Sequence, residues 1–258
     1  MKDKPRYAIV RPPADSFFRA VSDHKEAGKI DPKNARRQHE NFRYILEDLV
    51  GEVVELPKNE RFPDSCFTQD TAIVLKNRAL LMRTATPSRR GEEKLIAKAL
   101  APRVDTVDFV PPPGTVECGD MILLGNQLLV GRSRRTTPHG IDFVKSWAGD
   151  LGYKVVQVEV PMGVLHLTTA ISVIHDGLVM GLPHVLEHPV FDRVNTLPVY
   201  DDPIDACNVL VIGDRVIASG EYKVHELLEK EGFTVSRPDL SEFIRANGGP
   251  SCLAILIE

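Results

Sequence analysis

Short apolar runs in this sequence come in pairs, each pair split by two turn-forming residues. "TAIVLKNRALLMR" begins at Thr71, "GDMILLGNQLLVG" at Gly119, "TAISVIHDGLVMG" at Thr169 and "CNVLVIGDRVIASG" at Cys207. The dividing pairs are Lys76-Asn77, Gly125-Asn126, Asp176-Gly177 and Gly213-Asp214. Asp-Gly and Gly-Asx pairs between alternating apolar runs are the strongest short-range signal for a β-hairpin. A fifth copy is divided, with "YAIVRPP" near the start of the chain and "CLAILIE" at its end.

Helical patterns fill the intervals. In "DPKNARRQHENFRYILEDLVG", Asp31 is placed to cap a helix and Pro32 to open it, and Phe42, Ile45, Leu46 and Leu49 share one face. "PSRRGEEKLIAKAL" follows the first complete hairpin. A third helix starts at Thr137-Pro138 and stops at Gly152, and "EYKVHELLEKEG" is expected to bury Val224, Leu227 and Leu228. A short helical "DLSEFIRANGG" precedes Cys252.

Units recurring every roughly 40 to 50 residues point to a solenoid or a propeller. The divided copy favours a closed ring, because closure leaves no sheet edge exposed at the seam; the competing arrangement is an open mixed α/β sheet. The expected fold is therefore α/β, a five-module ββαβ pseudo-symmetric propeller, with residues 1–258 as a single catalytic domain. In such a ring the strand starts of all modules converge on a central channel.

Bulk properties narrow the function classes. With 43% hydrophobic and 26% charged residues the composition is ordinary for a globular chain. A chain this long buries roughly three quarters of its unfolded surface, so it needs neither disulfide nor metal to fold. A net charge of −4 and no basic tract argue against nucleic acid and mildly favour a small cationic ligand. No run reads as a signal peptide or a membrane span. Cys66, Cys118, Cys207 and Cys252 are widely spaced, without zinc-like spacing, and read as free thiols in a reducing, cytoplasmic setting. His184 and His188 in "LPHVLEHP" are four apart, but the flanking prolines favour a surface loop, and no metal or organic cofactor is expected.

Candidate chemistry sits where strands begin or end. "FPDSCFTQDTAIV" carries Asp64 and Asp70, "GTVECGDMILL" carries Glu117 and Asp120, "GVLHLTTAISV" carries His166, and "NGGPSCLAILIE" carries Cys252 behind Gly248 and Gly249. Arg83 and Arg135 occupy outgoing strand positions. Taken singly, each has an ordinary reading: loop aspartates cap turns, and a histidine between leucines packs in a core. Cysteine fills corners and arginine coats surfaces. Gathered in one channel, they combine a thiolate nucleophile, a general acid–base and carboxylates that suit a planar guanidinium. The arginines could hold a substrate carboxylate.

In "VVELPKNERFPDSCFTQDTAIV", "ALLMRTATPSRRGE", "TVECGDMILLGNQLLVGRSRRT", "VLHLTTA" and "GGPSCLAI", across nearly the whole chain, the sequence resembles the dimethylarginine dimethylaminohydrolases. These belong to the guanidino-group-modifying superfamily of arginine deiminases and amidinotransferases, whose fold is the five-module ββαβ propeller called pentein. The resemblance implies Cys252 as nucleophile and His166 as proton donor to the leaving amine. Asp70 and Glu117 would grip the guanidinium, with Glu117 also near the histidine. Asp64 would meet the substrate α-amino group, and Arg83 and Arg135 its carboxylate. Phe17 falls at the substrate-contacting tip of the family's lid, "RPPADSFFRAVSDHKEAG", and the backbone near Ala246 at another contact. Gln69 stands where the family commonly has glutamate, a loss of charge worth about 1 to 3 kcal/mol of cation binding in a dry site.

The implied activity is hydrolysis of N-methylated arginine to citrulline and a methylamine through a covalent thiouronium on cysteine. Deimination of arginine or another alkylguanidine is the alternative, disfavoured because no inserted helical domain fits in this chain. A ligand-sensing homologue is a third class. The family often forms homodimers.

Overall fold

The computed structural model describes residues 4–200 and 202–258. Among these described residues, fifteen strands form five separate three-stranded sheets. The first sheet holds β1 (Tyr7–Val10), β2 (Glu52–Glu55) and β15 (Ile255–Ile257); the second holds β3 (Ala72–Leu75), β4 (Arg78–Leu81) and β5 (Thr106–Phe109). The third contains β6 (Met121–Leu124), β7 (Gln127–Arg132) and β8 (Lys154–Glu159). The fourth contains β9 (Ile171–His175), β10 (Leu178–Gly181) and β11 (Asn195–Pro198), and the fifth β12 (Leu210–Ile212), β13 (Arg215–Ile217) and β14 (Thr234–Ser236).

Every sheet repeats one wiring. Its central strand pairs antiparallel with one neighbour and parallel with the other, and helix lies in the parallel crossover. Crossovers of this kind are needed because parallel strands cannot be joined by a tight turn. The divided copy closes as expected: β1 pairs antiparallel with β15, Tyr7 opposite Ile257, and the Arg6 N–H donates to the Ile257 carbonyl at 2.7 Å. The hairpin turns fall at the expected pairs. Lys76 and Asn77 both adopt left-handed backbone (φ 46° and 62°), the twisted turn that a two-residue hairpin requires. At Asp176-Gly177 the hairpin carries a register shift between Leu178 and Val179.

The long helix runs over Pro32–Leu49, and the Asp31 side chain accepts the Lys33 N–H, as the capping pattern predicts. Phe42, Leu46 and Leu49 are buried and Ile45 half-buried, in a cluster with Phe17, Phe67 and Phe243. Each fully buried side chain of that size stabilises by about 1.5 to 3 kcal/mol. The helix over Lys223–Lys230 buries Val224 and Leu228, but Leu227 is 39% exposed. The face turned inward is Val224, His225 and Leu228, so the fully buried His225 takes the place expected of Leu227, which lies to one side of that stripe. Among the described residues, no helix is long and apolar enough to cross a membrane.

Candidate active site

Before the strand that pairs antiparallel with the centre of each sheet the chain makes one tight turn: Thr68–Thr71, Cys118–Asp120, Leu167–Ala170, Ile204–Cys207 and Pro250–Leu253. These five turns meet at the centre of the ring, and a polar side chain spans every seam between neighbours. The Thr68 hydroxyl donates to the carbonyls of Ile9 and Leu253, both at 3.1 Å. Gln69 Nε2 donates to the Cys118 carbonyl at 3.1 Å, and Asp120 Oδ1 accepts the Leu167 N–H at 3.0 Å. Asn208 Nδ2 donates to the Thr168 carbonyl at 3.2 Å, and its Oδ1 accepts the Ser251 N–H at 3.1 Å. Backbone groups at a buried centre need partners, and these side chains supply them.

A narrow cleft opens on this ring, lined by Asp64, Asp70, Glu117, Arg135, His166, Ala246 and Cys252, together with Val21, Phe67, Arg89, Leu165, Asn247 and Gly248. Seven of the ten side chains singled out from sequence therefore share one small cavity. Cys252 is 6% exposed, and burial, with the Asp70 charge second, pushes its thiol up to about 11. Gly248 and Gly249 are required by close approach rather than by a left-handed bend. A Cβ on Gly248 would lie 2.2 Å from the Phe67 ring, and one on Gly249 2.4 Å from Asn208 Oδ1. Asn247, one residue earlier, takes the left-handed turn at φ 58°.

His166 and Glu117 form a buried pair, Nε2 to Oε2, at 2.8 Å. Burial opposes both charges, yet the hydrogen bond and mutual attraction win: His166 is held above its ordinary range and Glu117 well below that of a carboxylate. The other oxygen, Oε1, accepts from the Thr84 hydroxyl at 2.5 Å, the Ala85 N–H at 3.2 Å and Arg135 Nη1 at 3.4 Å. Asp120, fully buried, accepts the Ser133 and Thr136 hydroxyls as well as the Leu167 N–H. It thereby ties the turns flanking Arg135 and His166 together.

Asp70 offers one engaged oxygen and one free. Oδ2 accepts from Arg89 Nη1 at 2.6 Å, while Oδ1 is buried without a partner. Arg89 is itself 5% exposed and is held by Glu92 through Nε and Nη2. Desolvation lifts Glu92 to about 7 even though Arg89 opposes it. Asp64 Oδ1 accepts the Val21 N–H at 3.0 Å, and burial raises its carboxyl.

Three expected residues lie outside the cleft lining. The Phe17 ring is fully buried, 5.9 Å from Phe67 and 5.4 Å from Phe243, because the 3-10 helix over Asp15–Arg19 packs it inward, and the residues that follow present Val21 to the cleft instead. Arg83 reaches the carbonyls of Gly114 and Pro113, at 3.2 and 3.4 Å; the arginine that enters the cleft is Arg89, in the turn just after it. Gln69 spends its Nε2 on Cys118, while its Oε1 is buried without a partner. Sequence reasoning also missed Asn208, which has no spacing signal, and Arg89, whose only signal was its place inside the quoted "TPSRR" run.

The arginine deiminase family model matches residues 60–204. An N(G),N(G)-dimethylarginine dimethylaminohydrolase of Streptomyces coelicolor is 32% identical over 250 residues, covering 96% of this chain and 95% of that protein. Among solved structures, a cysteine-to-serine variant of the Pseudomonas aeruginosa enzyme complexed with citrulline superposes with a TM-score of 0.94 at 27% identity, covering 99% of this chain and 100% of that one. A histidine-to-glycine dimethylarginine dimethylaminohydrolase, present as an adduct with S-methyl-L-thiocitrulline, superposes with a TM-score of 0.93, also at 27% identity, over 98% of this chain and 100% of its own. Matched over more than half its length by the family model, and over nearly all of it by a relative above 30% identity, this chain belongs to the arginine deiminase family, on its dimethylarginine dimethylaminohydrolase branch.

Proposed function

We propose that the protein hydrolyses the guanidinium of N-methylated arginine, releasing citrulline and methylamine or dimethylamine. The observation that carries this reading is a cavity shared by Cys252, the His166–Glu117 pair and Asp70, whose Oδ1 is an unclaimed buried acceptor. A buried carboxylate oxygen without a partner is costly, and a guanidinium N–H relieves that cost.

In this reading the thiolate of Cys252 adds to the central guanidinium carbon. The C–N bond to the substituted nitrogen breaks as that nitrogen takes a proton from His166, and a thiouronium remains on sulfur. His166 then accepts a proton from water, which attacks the same carbon; the C–S bond breaks and the ureido product leaves. Glu117 has both oxygens engaged, so its role is to keep His166 protonated and oriented. Cation binding falls to Asp70, recognition of the α-amino group to Asp64, and the substrate carboxylate to Arg135 with Arg89. Val21 takes the lid contact expected of Phe17, and the cleft wall includes Ala246. Citrulline and S-methyl-L-thiocitrulline bound to the two matched structures support this substrate class. The whole ring acts as one catalytic unit, and four free, buried cysteines favour a reducing cytoplasmic setting.

The test offers purified protein arginine, monomethylarginine, dimethylarginine and agmatine separately, and measures ureido product and released amine. Methylamines from the methylated substrates are expected. Ammonia from plain arginine with no methylamine would transfer the protein to the deiminase reading.

A further inference from the structure

Asn208 closes the ring at the seam next to the nucleophile, and it is 4% exposed. Its amide orientation is fixed by chemistry. Oδ1 faces the Ser251 backbone N–H, at 3.1 Å, and the Ser251 hydroxyl, at 3.0 Å. A backbone N–H can only donate, so that atom is the amide oxygen. Nδ2 faces the Thr168 carbonyl at 3.2 Å and Cys252 Sγ at 3.8 Å, both acceptors. Gly249 leaves no room for the amide to swing away, since even a Cβ there would meet Oδ1. An oriented donor is thus clamped against the sulfur from a module to which sequence reasoning assigned no polar group.

A neutral thiol is a weak acceptor, whereas a thiolate accepts strongly, and hydrogen bonds to ionised groups are about twice as strong as neutral ones. A donor placed here therefore favours the ionised sulfur over the protonated one. The Asp70 carboxylate near the sulfur acts in the opposite sense, while the Gly249 backbone and the Ser251 side chain act with Asn208.

We propose that Asn208 is a further catalytic residue, whose Nδ2–H donates to Cys252 Sγ and stabilises the thiolate that attacks substrate. This rests on Cys252 being the nucleophile of the proposed reaction. The same amide braces the Thr168 segment that carries His166, so nucleophile and acid share one support.

The test reads the thiol without any substrate, so it is independent of whether methylarginine is the right ligand. In the full-length protein, thiolate ultraviolet absorbance, taken as the difference from Cys252→Ser, and peptide-resolved iodoacetamide capture at Cys252 are followed against pH. Asn208→Leu, close in size and uncharged, removes the donor without adding a charge and should move the midpoint upward, cutting capture at a fixed mildly alkaline pH by about tenfold or more. Asn208→Ala removes the same donor by truncation and leaves Ser251, whose side chain also favours the thiolate, in place; it should shift the midpoint the same way. Thermal melting identifies which variants are folded. An unmoved or lowered midpoint in folded Asn208→Leu overturns the proposal, and if that variant does not fold, an unmoved midpoint in Asn208→Ala overturns it.

Discussion

Glu117 Oε2 lies 2.8 Å from His166 Nε2, with Glu117 fully buried and His166 3% exposed. The folded state raises the proton affinity of the imidazole and lowers that of the carboxylate. The His166 contribution to stability is complete below its unfolded value near 6.5 and disappears as pH rises through its higher folded value. The Glu117 contribution is present above its unfolded value near 4.5 and disappears as pH falls through its depressed folded value. Glu117→Gln should therefore cost most stability between those limits, about 3 to 5 kcal/mol for an orphaned buried charge. Melting temperature against pH for both proteins checks this, and turnover should fall roughly a hundredfold or more with the acid misplaced.

Gly119→Ala has nowhere to put its methyl group. The added Cβ would fall 2.5 Å from His166 Nδ1 and 2.7 Å from Cγ, and Glu117 holds the ring from its other nitrogen. Overpacking of this kind costs about 1 to 3 kcal/mol. Turnover is expected to drop at least tenfold, more than binding, in steady-state kinetics.

Much of this was legible in the sequence. Hairpin turns carry local chemistry, and Asp31-Pro32 and Thr137-Pro138 announce helices whose Asp31 and Thr137 side chains cap them. Cys252, His166, Asp70 and Glu117 stood out because each sits where an apolar strand begins. The seams were not legible. Gln69 and Asn208 bond to backbone atoms of neighbouring modules, and no spacing in the chain encodes a partner some 40 residues away. That Arg89 rather than Arg83 lines the cleft was hidden for a related reason: the strand ends at Leu81, and only the path of the following turn decides which arginine faces inward. Val21 lines the cleft in place of Phe17, and the 3-10 helix over Asp15–Arg19 is too short to show a periodicity from which its inward face could be read.

Arg89→Ala strands Asp70 and Glu92 without their shared cation. A loss of about 3 to 5 kcal/mol is expected near neutral pH. Glu92 sits at about 7 even with Arg89 present, so without that cation it is protonated more readily still, and acidification takes back part of the loss. Denaturant unfolding should show the gap between variant and parent narrowing toward lower pH, and Arg89→Ala with Glu92→Gln should be less damaged than Arg89→Ala alone.

The segment over the cleft is latched to the loop before the nucleophile. The Ser22 hydroxyl donates to the Arg245 carbonyl at 2.8 Å and to Asn247 Oδ1 at 3.1 Å, and Asn247 Nδ2 donates to Asp23. Ser22→Ala removes two of these bonds at a partly exposed site, a change of about 1 kcal/mol. The measurement is KM against kcat for methylarginine: KM should rise severalfold with kcat nearly unchanged.

The account turns on the sulfur of Cys252, and trapping reads it directly. Incubating a His166→Gly variant with S-methyl-L-thiocitrulline should leave a covalent adduct that peptide mass spectrometry finds on the fragment containing Cys252. The same mass on Cys66, Cys118 or Cys207, or its persistence at full yield when Cys252 is changed to serine, would contradict it.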